Sequence, residues 1–193
     1  MADRRWRVGV TGGGFSTTIK FDQDVHLDER TILVTGEYRL APRVGLQLGA
    51  GAILDGTARV GNTDVDIGAG FAVTGAASWL AVPEGEATPF LLGGVSLGVS
   101  TAPAGASRIT AVDARLSVVV GKTFAQMFTP YVVGRVFGGP VYFTIAGDDQ
   151  VGGDSHHYAV GFGATLRAGA VDVFAEFVPL GEQSVSVGLG WSL

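Results

Sequence analysis

The 193-residue chain contains no cysteine, which excludes disulfides, thiolate zinc ligation and thiol catalysis. Charge is scarce as well. Asp, Glu, Lys and Arg make up 16% of the residues, where a soluble domain carries about 25%; a fully hydrated exterior needs more. The basic residues form no run and the formal net charge is −5, which excludes a nucleic-acid surface, because phosphate binding requires a basic patch. Dense hydrophobic runs are also missing. The longest uncharged stretches, Ile67 to Val82 and Ala87 to Ser107, are filled with Gly, Ser and Thr, and the second holds Pro89 and Pro103. A transmembrane helix needs about 20 predominantly apolar residues, and neither stretch supplies them. No apolar leader precedes Trp6: Met1-Ala2-Asp3-Arg4-Arg5 runs straight into Trp6-Arg7-Val8. The expectation is one domain over 1–193, in a mature form without its signal peptide.

What the chain does contain is apolar and small at once. Hydrophobic residues reach 47%, glycine numbers 31, and mean hydropathy is +0.35. These residues fall into a period of two, the signature of strands. At the C-terminus Val185, Val187, Leu189, Trp191 and Leu193 share one face, opposite Ser186, Gly188, Gly190 and Ser192. Ile32, Val34, Tyr38 and Leu40 alternate with Leu33, Thr35, Glu37 and Arg39. The segments Val44 to Ala52 and His157 to Arg167 repeat the pattern. In a soluble barrel the second face would meet water and carry Lys, Glu and Thr. Here it carries Gly, Ala and Ser with single charges, which suits the crowded interior of a small barrel. The apolar face is then left for lipid, the inside-out arrangement of a transmembrane barrel.

Turn residues divide the chain into strands near 4–19, 29–41, 43–57, 63–82, 89–101, 108–121, 130–145, 155–168, 170–179 and 183–193. The predicted fold is therefore all-β: a closed antiparallel transmembrane β-barrel of about ten strands, with eight as the alternative. Short turns join them and both termini lie at one end, expected to be periplasmic. The other end would carry connections at Asp22 to Asp28, Ala58 to Asn62, Ala102 to Ser107, Ala146 to Asp154 and Leu180 to Glu182. Gly138-Gly139-Pro140 marks an expected bulge or kink where the facing of the seventh strand flips. Trp6, Tyr38, Trp79, Phe90, Tyr131 and Trp191 fall near the end with the termini and are predicted as an interface belt. Phe15, Phe21, Tyr142, Phe143, Tyr158 and Phe177 fall near the other end.

Three segments carry a family resemblance. Tyr38-Arg39-Leu40-Ala41-Pro42-Arg43-Val44-Gly45-Leu46 looks like a strand, tight turn and strand. Thr88-Pro89-Phe90-Leu91-Leu92-Gly93-Gly94-Val95 looks like a Pro-aromatic entry into a Gly-rich strand. Val185 to Leu193 is similar to a terminal strand read by barrel-insertion machinery, with Leu193 last and Trp191 two residues earlier. On these the chain resembles the small bacterial outer-membrane β-barrel superfamily of OmpA-type, OmpX-type and opacity-type barrels. The resemblance implies a Gram-negative outer-membrane location. It also implies outer-membrane lipid, lipopolysaccharide and the barrel assembly machinery as partners.

Motifs for chemistry are weak. Val8-Gly9-Val10-Thr11-Gly12-Gly13-Gly14 offers a glycine cradle, but β-prone Phe15 to Ile19 follows where a dinucleotide site needs a helix. Gly121-Lys122-Thr123 lacks the earlier P-loop glycine, since Leu116 stands there. His156 and His157 are adjacent and point to opposite strand faces, so with Asp154 and His26 they make a poor metal clamp. Ser155, His157 and Glu176 are the residue types of lipid-A-modifying barrels, but the alternation turns His157 and Glu176 inward, away from lipid. No catalytic residue, metal or cofactor is expected. The charges expected inside are Arg5, Arg7, Glu37, Arg39, Asp66, Asp113, Arg115, Arg135, Arg167, Asp172 and Glu176. Charge inside a membrane barrel must be paired or hydrated. These residues therefore line a narrow channel or small-solute site, or else form a salt-bridge plug in a structural or surface-interaction barrel without transport. An envelope lipid-modifying enzyme is the third reading.

Overall fold

The computed structural model describes residues 5–145 and 148–193. The leader reading at Met1 to Arg4, the first residue of the strand expected over 4–19, and Ala146-Gly147 of one expected connection lie outside them. Among the described residues there is no helix, and 13 strand segments form one antiparallel sheet. They are β1 Trp6–Lys20, β2 Asp24–Ala41, β3 Val44–Val60, β4 Thr63–Ile67, β5 Gly70–Val82, β6 Phe90–Ala104, β7 Ser107–Gly121, β8 Phe128–Gly138, β9 Pro140–Ile145, β10 Asp148–Asp154, β11 Tyr158–Ala168, β12 Val171–Leu180 and β13 Gln183–Ser192.

The sheet closes on itself. β1 pairs with β13 from Arg7↔Ser192 to Ser16↔Gln183, then switches to β10 at Ile19↔Asp154. The switch arises because the β12–β13 hairpin is short. It turns at Gly181, whose φ is +85° and whose site leaves no space for a Cβ, so β1 outruns it. Around the end with the termini the pairings run through β1, β2, β3, β5, β6, β7, β8, β11, β12 and β13. Around the far end they run through β1, β2, β3, β4, β6, β7, β9 and β10. Ten strands thus taper to eight, and barrel width falls with strand number. Leu193 donates to the carbonyl of Trp6 at 2.8 Å, bringing both chain ends together.

Facing follows the period of two, but chemistry inverts along each strand. On β2 the outer face carries Leu40, Tyr38, Val34 and Ile32, then Arg30, Asp28 and His26; the last three are exposed. Its inner face ends in buried Leu27 and Val25. On β3 the outer face runs through exposed Leu46, Leu48 and Leu54, and changes there to Asp55, Thr57 and Arg59. Leu54 sits at a register shift opposite Arg30 and Thr31. The ten-strand part therefore has an apolar exterior. The eight-strand part has a charged collar outside, with Arg59–Asp64 at 2.7 Å and Arg30–Asp55 at 3.7 Å. Inside that neck lies an apolar core including Ile19, Val25, Ile53, Ile67, Ile109 and Phe143.

This neck corrects the expected connections. Asp24 to Asp28, Ala58 to Val60, Ala102 to Ala104 and Asp148 to Asp154 are strand. On Asp24 to Asp28 and at Arg59 the polar residues are exposed outside the neck, where composition alone resembles a loop, whereas Asp154 turns inward. The expected flip in the seventh strand is absent. Ala114 faces Gly138 and Ala111 faces Val141, three residues on in both strands, so β8 and β9 keep one register. The strand is interrupted at Gly139, a position that admits only glycine because a Cβ there would lie 1.8 Å from the carbonyl oxygen of Val112. The register change falls on the neighbouring strand, between β10 and β11.

The belt is also revised. Trp6, Tyr38, Trp79 and Trp191 face outward, with the Trp6 and Tyr38 rings 4.7 Å apart. Phe90 and Tyr131 turn inward, because glycines opposite them leave room: Phe90 covers Gly121 and Tyr131 covers Gly163. Of the far set, Tyr142, Tyr158 and Phe177 are exposed outside, while Phe143 is buried in the neck and Phe15 and Phe21 pack against it.

Candidate functional site

The inward charges form three tiers. At the end with the termini, Arg7 pairs with Glu37 at 3.5 Å and with Asp172 at 3.2 Å, and Arg167 reaches the same Asp172 at 2.7 Å. Arg5 and Arg39 line the same small polar cavity of about 250 Å³. Asp172 alone is fully withdrawn from water. Below this end the loops are tied by the amide of Thr123, which donates to Glu84 Oε1 at 2.6 Å and holds that carboxyl below its ordinary range.

The second tier is Arg135, donating to Glu176 at 2.6 Å, with the Tyr131 hydroxyl donating to the other carboxylate oxygen at 3.2 Å. Buried Val133 lies beside them, and Phe174 covers Gly188. None of these residues lines the terminal cavity.

The third tier is Arg115. It bridges the lumen to Glu182 through two bonds of 2.8 Å, binds Asp113, and stacks 5.1 Å from the centroid of the Phe137 ring. Between this tier and the apolar neck lies a chamber of about 350 Å³. Its upper wall includes Ile19, Leu27, Ile53, Ile109 and Val141; Thr11, Thr31, Thr74, Ser100 and Ser186 line its sides. Four carboxyl groups line it, Glu29, Asp113, Asp154 and Glu182, against the single cation Arg115.

Ten of the eleven predicted charges lie at the ends or inside of the barrel. Asp66 does not: it pairs with Thr57 on the outer face and is exposed. The strand carrying it belongs to the neck, where charge faces outward. Three chamber carboxyls escaped the sequence reading. Glu29 shares the face of Glu37 on one strand, so extending the alternation by four pairs would have found it. Asp154 and Glu182 lie at a strand end and in a turn, where period two gives no facing.

No family model matches the chain, and no curated protein matches it. Solved structures do. The translocator domain of autotransporter NalP from Neisseria meningitidis is similar over 100% of this chain and 90% of that one, with a TM-score of 0.60 at 11% identity. The outer membrane protease OmpT from Escherichia coli is similar over 100% and 98%, with a TM-score of 0.54 at 10% identity. The fold is that of an outer-membrane β-barrel. At such identities the likeness concerns the fold alone.

In this barrel the Ser155, His157 and Glu176 combination is not assembled. Glu176 is held by Arg135 and Tyr131, while Ser155 lies 2.9 Å from His156 Nδ1 and His157 is exposed against Gly138. His26 sits on the outer collar, 3.2 Å from Ser16 Oγ and 3.6 Å from Asp28.

Proposed function

We propose that the chain is an integral barrel of a Gram-negative outer membrane, in contact with lipid and lipopolysaccharide and delivered by the barrel assembly machinery. In this reading it holds a small solute in its lumen, without open conduction and without catalysis. One observation carries it: the chamber lies between a packed apolar neck and two layers of ion-paired side chains. Its volume is within the range of small-molecule sites, about 300–1,000 Å³, and it combines an apolar wall with a few polar groups as such sites do. A hydrated path lined by both signs would need those layers to part. The tiers of ion pairs themselves favour a second reading, a purely structural plug.

Planar-bilayer recording of the refolded protein tests the first point. Folded barrels, identified by heat-modifiable gel migration, are expected to remain electrically silent. Discrete openings in a symmetric salt solution would overturn the closed reading and restore the channel.

A further inference from the structure

Glu29 is unusual among the chamber's acids. It is 6% exposed and has no hydrogen-bond or ion-pair partner among the described residues. Its side chain packs over Gly56 and lines the chamber. Arg115 does not reach it, since that guanidinium is occupied by Asp113 and by both oxygens of Glu182. Asp154 accepts one hydrogen bond, from the Thr17 hydroxyl at 3.3 Å. Phe15, Thr17 and Ile19 lie between these two acids on the inner face of β1, with Phe15 paired to Glu29 and Ile19 to Asp154.

A buried carboxylate without a partner is costly and must be neutralised or hydrated. The excess of negative charge excludes an anion. A small metal ion needs several ligands converging on one point, and no such group of three or more acids and histidines exists among the described residues. An aliphatic wall beside separated acids fits a different shape: one positive charge on an apolar body.

We propose that the chamber binds a small protonated amine, its ammonium paired with Glu29 or Asp154 and its hydrocarbon against Ile19, Leu27 and Ile109. This rests on the solute-holding reading above and names the class of solute. Glu29 and Asp154 supply the charge selection, and the neck supplies the apolar contact.

The test uses the full chain, refolded in micelles and verified by gel migration, with three probes on one ring skeleton. These are cyclohexylmethylamine, cyclohexylmethanol and cyclohexanecarboxylate, titrated by calorimetry. The amine is expected to bind about tenfold more tightly than the alcohol, a modest gain for a charge pair out of water, and the carboxylate not at all. Glu29→Gln is expected to remove about tenfold from the amine's affinity and leave the alcohol unchanged; should that variant not fold, Asp154→Asn reads the second acid. Equal binding of amine and alcohol, or binding of the carboxylate, overturns the amine assignment while the solute chamber stands. An amine affinity untouched by either substitution overturns the site. No binding of any probe overturns both this inference and the solute-holding reading.

Discussion

At the scale of single residues, Arg115 is the brace of the lumen. It joins β7 to the β12–β13 turn across the barrel through a bidentate contact with Glu182 and a bond to Asp113. Bidentate Arg–carboxylate pairs combine energy with fixed geometry. Removing the cation would strand two carboxylates in a low-dielectric interior, so Arg115→Gln is expected to destabilise the barrel by about 3 kcal/mol. Urea unfolding in lipid vesicles measures this; a loss below about 1 kcal/mol would reject the brace, since solvated pairs are worth no more. The alternation of small and apolar residues was enough to turn Arg115, Asp113, Arg135 and Glu176 inward. Which charges pair was not legible, because partners stand on strands far apart in sequence.

At the scale of elements, hairpins explain both what was foreseen and what was missed. The strands beneath the apolar exterior were placed to within a few residues by turn signals such as Ala41-Pro42-Arg43. The upper ends of β2 and β3 were cut short where outward residues became charged, and that of β6 at Ala102-Pro103-Ala104. Polar composition marks a loop only if both faces are polar, and in the neck only one is. The β7–β8 connection shows a different strain. Phe124 and Phe128 bridge each other, and between them Ala125 and Gln126 have φ of 50° and 59°. That is the backbone of a tight turn that favours Asn-Gly, and each L-residue held there costs roughly 1–2 kcal/mol. Replacing Ala125→Asn together with Gln126→Gly is therefore expected to stabilise the hairpin by about 1 kcal/mol, read as a higher urea midpoint at unchanged slope. A lower midpoint would show that the turn's side chains contribute more than its backbone costs.

At the scale of the whole molecule, the taper from ten strands to eight separates two solvents. Below it the barrel is inside-out, with small and charged residues within and apolar residues without. Above it a conventional apolar core is wrapped by charge. The boundary crosses β2 between Ile32 and Arg30 and β3 at Leu54. A lysine introduced on the lipid side of this line should cost far more than one beyond it. Leu48→Lys, at a position 73% exposed on the outer face, is expected to lose about 2–4 kcal/mol of stability in vesicles. Thr57→Lys, on the same face of the same strand but beside Asp28 and Asp66, is expected to change it by less than about 0.5 kcal/mol. Equal losses at the two sites would move the boundary.

The sequence by itself determined the class of fold and the inward direction of most charges, and left the strand count open between ten and eight. Class and direction follow from period two together with the identity of the second face, which are local properties of a strand. The taper, the neck and the chamber were decided only by the tertiary structure. The physical reason is length: the β12–β13 hairpin stops short, β1 closes onto β10 above it, and the narrowed ring brings Ile19, Ile53 and Ile109 into contact. That contact places Glu29 and Asp154 in one chamber with a single arginine, and no periodicity along the chain encodes how far one strand outruns its neighbour.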